Sequence, residues 1–225
     1  MDRRYRHYDQ IMTLFAGVLL ISNLGAVKLV AFGPILTDGG AVLFPLAYIF
    51  GDVLTEVYGY KHTRRAIWMG FFVMLLAVGA LTVVRYLPPA PEWQDQKAFE
   101  AILGFFPRIV VASLVAYLFG EFVNSYILAR MKVKSRGQHL WKRLIGSTLG
   151  GQFFDTVIFG LIAFGGLLGA WDMARFVAIG WAFKVGVEVA MLPITCRAVA
   201  WLKSQEQEDY YDLETDFSPL GLTLR

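Results

Sequence analysis

Cysteine is nearly absent from this chain: Cys196 stands alone among 225 residues, so no intrachain disulfide can staple the fold. Histidine is almost as scarce. His7, His62 and His139 lie far apart in basic segments, a pattern with no metal-ligand spacing. Charge is thin as well, at 17% against 56% hydrophobic residues, and the apolar residues gather into long blocks. That distribution belongs to a polytopic membrane protein and not to a soluble domain with one core. A net charge of +3 carries no nucleic-acid reading, because the basic residues sit at the ends of apolar runs.

A hydrocarbon core about 30 Å thick needs roughly 20 residues of helix. Six segments of that order are present, at 11–32, 41–60, 65–87, 105–129, 144–167 and 174–202. The fold class expected is all-α: one bundle of six transmembrane helices over 1–203, followed by a solvated acidic tail, 204–225. The first run follows Arg3, Arg4 and Arg6 but is too long for a signal-peptide core and lacks a small-x-small cleavage pattern, so it counts as a helix. Asn23 and Lys28 interrupt it, and Lys28 is expected to snorkel to the interface. Residues 32–40 read as a turn, Pro45 as a helix kink, and 88–100 as a proline-rich loop with Trp93 at headgroup level. Lys and Arg concentrate at the amino terminus, at 61–65, at 130–143 and at Arg197 and Lys203. These are alternate connections, which places both termini in the cytoplasm.

Polar residues recur at one depth. Asp52 lies nine residues before Lys61, Glu121 nine before Arg130, Glu188 nine before Arg197, and Gln152 nine after Arg143. At 1.5 Å per residue each is about 13 Å from the inner boundary, close to the midplane. Asp155 and Lys184 come out somewhat deeper. Helical spacing joins Asp52 to Glu56, Lys184 to Glu188, Glu121 to Asn124 and Ser125, and Gln152 to Asp155. An ionised group at the hydrocarbon centre costs at least about 2.5 kcal/mol, so a shared, partly wet cavity is the economical arrangement. Two plainer uses stay open: amides and hydroxyls that tie helices together, and a structural Lys184–Glu188 ion pair. Ala47-Tyr-Ile-Phe-Gly-Asp52 recurs as Ala116-Tyr-Leu-Phe-Gly-Glu121, consistent with a parallel internal repeat. Gly146-Ser-Thr-Leu-Gly150 is a G-x-x-x-G, a helix-packing motif within the bundle or between the subunits of a homodimer.

Several segments then carry a family resemblance: 44–60, Leu87-Pro-Pro-Ala-Pro91, Gly120-Glu-Phe-Val-Asn-Ser125, Gly137-Gln-His-Leu-Trp141, Gly146-Ser-Thr148 and Phe183-Lys-Val-Gly-Val-Glu188. In this order they resemble the bacterial queuosine precursor transporters, a vitamin-uptake-type family, from the first helix to the sixth. The resemblance implies an inner-membrane importer of 7-cyano-7-deazaguanine and 7-aminomethyl-7-deazaguanine, with no cofactor and no catalytic residue. On that reading Glu121 or Asp155 takes the guanine edge, Asn124, Gln152 and Lys184 address the carbonyl or nitrile, and Phe50 or Phe183 stacks on the ring. Asp52, Glu56 and Glu188 are then the candidates for proton coupling, with Asp52 and Glu188 also able to balance the aminomethyl cation. A substrate-capturing subunit of an energy-coupling-factor importer is the alternative; it needs a small-residue docking stripe, and the first helix has no Ala-x-x-x-Ala. An intramembrane enzyme is disfavoured, since no nucleophile–base pair lies at the polar level.

Overall fold

The computed structural model describes residues 5–26, 28–32, 35–103 and 107–221. Seven α-helices occur among them: α1 (Tyr8–Gly25), α2 (Phe44–Tyr58), α3 (Tyr60–Tyr86), α4 (Gln96–Leu103), α5 (Pro107–Lys134), α6 (Leu140–Phe164) and α7 (Ala170–Glu206). Four of them, α3, α5, α6 and α7, are long and apolar enough to cross a membrane. At 18 and 15 residues, α1 and α2 are shorter than the roughly 20 residues a lone span requires.

Each expected helix has a counterpart, with shifted ends. The first stops at Gly25 instead of running to residue 32, because the chain turns into a two-stranded antiparallel hairpin, β1 (Leu29–Phe32) against β2 (Ile35–Asp38). Pairing β1 with β2 satisfies the backbone groups of both strands; Gly33 and Pro34 lie outside the described residues. Lys28 sits in the exposed bend before β1. Pro45 does not kink the second helix. It occupies the first turn of α2, where a missing N–H removes no helical bond. The proline-rich loop ends sooner than expected, in the short helix α4. Much of the basic connection 130–143 is helical, since α5 continues to Lys134 and α6 begins at Leu140. Phe105, the expected start of the fourth helix, lies outside the described residues, as do Arg3 and Arg4.

The shortest long element is the most enclosed. Every residue from Gly51 to Tyr60 is buried, and Leu54, Val57 and Tyr58 of α2 form the core with Phe15 and Leu19 of α1, Ala66 and Met74 of α3, Leu114 of α5, and Val199 and Leu202 of α7. By contrast, Phe72, Leu76 and Val83 of α3 and Ile179 and Ile194 of α7 are exposed, an apolar outer surface suited to lipid. Glycine sets the α5–α6 contact. A Cβ on Gly151 would lie 2.7 Å from Asn124 Cβ and 3.0 Å from the Gly120 carbonyl oxygen, distances at which something must shift. The G-x-x-x-G glycines pack inside the bundle too, Gly146 against Met131 and Gly150 against Ile127.

The tail also departs from expectation. It is not free in solvent: Asp212 is only 2% exposed, and both its carboxylate oxygens accept from the Tyr60 N–H at 3.1 Å. An N–H at the first turn of α3 has no intrahelical acceptor, and a carboxylate is the natural partner for it.

Candidate functional site

The polar residues picked out along the sequence converge where α2, α5, α6 and α7 meet. Asp52 on α2 is 5% exposed and accepts from Asn124 Nδ2 of α5 at 2.9 Å. Gln152 on α6 bridges two helices: its Oε1 accepts from the Tyr48 hydroxyl at 3.2 Å, and its Nε2 donates to Glu188 Oε1 of α7 at 2.5 Å. Thr148, one turn before Gln152, donates to the other Glu188 oxygen. Asp155 on α6 forms an ion pair with Lys184 of α7. Lys184 therefore pairs across helices, and Glu188 is held by hydroxyl and amide donors from α6.

Glu121 is the exception among the acids. It is 7% exposed and lies within the electrostatic field of Asp52, Glu188 and Asp155. Its Oε2 is buried and has no hydrogen-bond partner among the described residues, and the same holds for Asn124 Oδ1 on the next turn of α5. Two glycines make room for these acids: a Cβ on Gly51 would stand 2.9 Å from Glu121 Oε2, and one on Gly120 would stand 2.8 Å from Asp155 Cβ. Those glycines hold equivalent places in the repeated hexapeptides, so each copy clears space for an acid on a neighbouring helix.

A narrow cleft of about 10 Å³ opens beside this cluster, lined by Tyr48 and Asp52 of α2, Leu144 and Thr148 of α6, and Glu188 and Thr195 of α7, among others. That volume holds about one water molecule. Pro193 lies just past the cleft residues Val189 and Leu192, and its missing N–H takes a bond from the Val189 carbonyl within α7.

Three of the anticipated residues lie elsewhere. Phe50 packs on the apolar core, and Phe183 is 39% exposed on α7. Glu56, one turn beyond Asp52, is fully buried in a separate cluster at the basic end of the bundle. There its Oε1 meets Arg143 Nη2 of α6 at 2.6 Å, Lys203 Nζ of α7 at 2.8 Å and Lys132 Nζ of α5 at 3.7 Å. Sequence reasoning did not single out Tyr48 or Thr148. Both lie in segments that had drawn attention, but a hydroxyl in an apolar helix gives no signal until its partner helix is placed.

A helical bundle that surrounds a polar cluster with apolar, lipid-suited walls has the architecture of a multi-pass membrane protein. A family described as "Putative vitamin uptake transporter" matches residues 38–198, and the chain belongs to that family. It is 30% identical to a probable queuosine precursor transporter of Bacillus subtilis over 187 residues, covering 83% of this chain and 82% of the relative. It is 31% identical to the queuosine precursor transporter of Escherichia coli over 128 residues, 57% of this chain and 55% of that one. A probable queuosine precursor transporter of Haemophilus influenzae is 25% identical over 150 residues, 67% of this chain and 60% of the relative. All three relatives are named as transporters. No solved structure matches the chain.

Proposed function

We propose that this chain is a six-span carrier of the bacterial inner membrane, with both termini in the cytoplasm, importing the queuosine precursors 7-cyano-7-deazaguanine and 7-aminomethyl-7-deazaguanine. The named relatives support the cargo, and the alternating basic connections support the orientation. In this reading α1 and α2 complete their crossings with the help of the hairpin that joins them, and the polar cluster lies near the bilayer midplane.

One observation carries the assignment of the site: the buried, unpaired acceptors Glu121 Oε2 and Asn124 Oδ1. A buried acceptor without a partner costs about 1–3 kcal/mol, more when charged, unless a ligand supplies the donor. A 7-deazaguanine offers N1–H and an exocyclic amine on one edge, a donor pair that a carboxylate accepts in bidentate fashion. Glu121 fits that role better than Asp155, whose carboxylate Lys184 already engages. Gln152 and Lys184 then address the carbonyl or nitrile, and Tyr48 is the aromatic neighbour in place of Phe50 or Phe183. Asp52 and Glu188, both on the cleft, are the acids available to balance an aminomethyl cation or exchange a proton. A cleft the size of one water cannot hold a bicyclic base, so this conformation is closed and the helices must part to admit cargo.

The test is uptake of labelled 7-deazaguanines by the purified chain in proteoliposomes, with guanine as competitor. Glu121→Gln is expected to abolish uptake while membrane insertion and thermal stability stay normal. Wild-type uptake in that variant would remove Glu121 from the site.

A further inference from the structure

The family match ends at residue 198, yet the segment that follows α7 is seated on the bundle by specific contacts. Gln207 adopts a left-handed conformation, φ 48°, and turns the chain back beneath the helices. Tyr210 N–H donates to the Val57 carbonyl of α2 at 3.3 Å, and the Tyr210 carbonyl accepts from Lys132 Nζ of α5 at 2.7 Å. Asp209 Oδ1 pairs with Lys132 at 2.6 Å and with Lys203 of α7 at 2.7 Å. Farther along, the Phe217 and Ser218 carbonyls accept from the Tyr60 hydroxyl at 2.9 Å and from Arg64 Nη1 at 2.7 Å, both on α3.

The seat is shaped for this segment. Gly59, at φ 81° between α2 and α3, would place a Cβ 2.3 Å from Tyr210 Cδ1. Gly137, at φ 78° between α5 and α6, would place one 2.1 Å from the Tyr211 hydroxyl. Each glycine supplies both a left-handed turn and the space for a tyrosine. The charges interlock as well. Arg143, Lys132 and Lys203 bring three cations from three helices to the single carboxylate of Glu56. Asp209 halves that excess of positive charge. Without it, the ends of α5 and α7 would repel across a poorly solvated gap.

We propose that residues 207–221 are a latch that ties the basic ends of α2, α3, α5 and α7 together, keeps the cleft closed on that side, and must release for solute to leave by that end. Only the last part rests on the transport reading; the clamping itself does not. The closed cleft and the seated segment are two independent features of one conformation, and α2 joins them, since it carries Asp52 at the cleft and Val57 and Glu56 at the seat.

Thr195, 4% exposed on the cleft wall, is the reporter position. Thr195→Cys in a Cys196→Ser background would be labelled with a membrane-impermeant maleimide applied to the basic side of inverted vesicles. The chain ending at Gln207, and full-length Asp209→Asn/Tyr210→Ala, should both label several-fold faster than the parent, and the shortened chain should show a several-fold higher initial rate of deazaguanine exchange. If the shortened chain does not fold, labelling of the full-length double variant decides. Parental labelling rates in variants that elute as monodisperse protein would overturn the latch. Absence of deazaguanine exchange by the wild-type chain, alongside accelerated labelling, would refute the transport reading and leave the clamp standing.

Discussion

Asp52 and Glu56 share one face of α2, yet their surroundings give them different work, and Glu56→Gln separates the two. In the wild-type chain Glu56 Oε1 receives Arg143 at 2.6 Å and Lys203 at 2.8 Å. Removing one partner of a buried ion pair costs about 3–5 kcal/mol, because the remaining charge is left without compensation. Here the lower end applies. Asp209 still holds Lys132 and Lys203, so the stranded cation is Arg143, which keeps only the Gln138 carbonyl and the Ser135 hydroxyl. A loss of about 3 kcal/mol corresponds to a fall in Tm of roughly 6–12 °C for a chain of this length. The assay is thermal denaturation of purified protein in detergent, run for Glu56→Gln, Arg143→Met and the pair. Both single variants should be destabilised and the pair should cost much less than their sum, with a coupling of about 2 kcal/mol or more. A Glu56→Gln chain that melts like wild type but transports nothing would refute the reasoning and return Glu56 to the transport chemistry.

Gly151→Ala should force α5 and α6 apart at the Asn124 contact, costing about 1–3 kcal/mol by overpacking and weakening the Asn124–Asp52 hydrogen bond; thermal denaturation reads the cost, and an unchanged Tm would mean that the helices yield freely. Seating of the latch should also depend on pH. Burial would raise the Asp209 carboxyl, but hydrogen bonds and charge from Lys132 and Lys203 outweigh it and hold the group below its ordinary 3.8, so its contribution is full above 3.8 and is lost as pH falls through the lowered value. Burial raises the Asp212 carboxyl despite the Tyr60 N–H, so its effect has the opposite sign and weakens seating as pH climbs above 3.8. Protection of the tail from a protease active in acid should therefore be greatest near pH 3.8 and decline toward neutrality, and protection rising steadily to neutral pH would contradict the assigned contacts.

The long elements were legible because membrane helices announce themselves by length and apolarity, and α3, α5, α6 and α7 have both. The polar residues were legible for the complementary reason: an acid or amide inside an apolar run must find a partner, which makes its position conspicuous. What local spacing could not give was the partner. Lys184 and Glu188 lie four residues apart on one helix, yet Lys184 forms its ion pair with Asp155, and Glu188 is held by Thr148 and Gln152. The choice between neighbour and facing helix is made by packing, here by the α6–α7 contact, and no single-helix periodicity contains it. The tail escaped for a different reason. Acidic, polar composition reads as solvated when the surface beneath is unknown, and the basic ends of three helices were counted only as topology signals.

Those basic residues also tie helices together, and that bears on how the bundle can move. Lys132 and Arg143 are buried, at 2% and 1% exposed, so they are not merely surface charges marking one side of a membrane. Each joins α2 through Glu56, and Lys132 also joins the tail. At the cleft, by contrast, α2 is tied to its neighbours by the neutral-donor bonds Asn124–Asp52 and Tyr48–Gln152. The Tyr48–Gln152 bond exchanges for ligand or water contacts at a net cost of about 0.5–1.5 kcal/mol and Asn124–Asp52, to a carboxylate, at about 1.5–3 kcal/mol, whereas leaving one partner of a buried ion pair uncompensated at the basic end costs about 3–5 kcal/mol. Opening on the side away from the basic cluster is therefore the easier motion, with α2 pivoting about Glu56. Opening toward the basic side requires both the Glu56 pairs and the seated tail to give way. A cysteine at Pro45, a cleft residue at the other end of α2, should accordingly label faster from the opposite face than Thr195→Cys labels from the basic face; the reverse order would place the pivot at the wrong end of the helix.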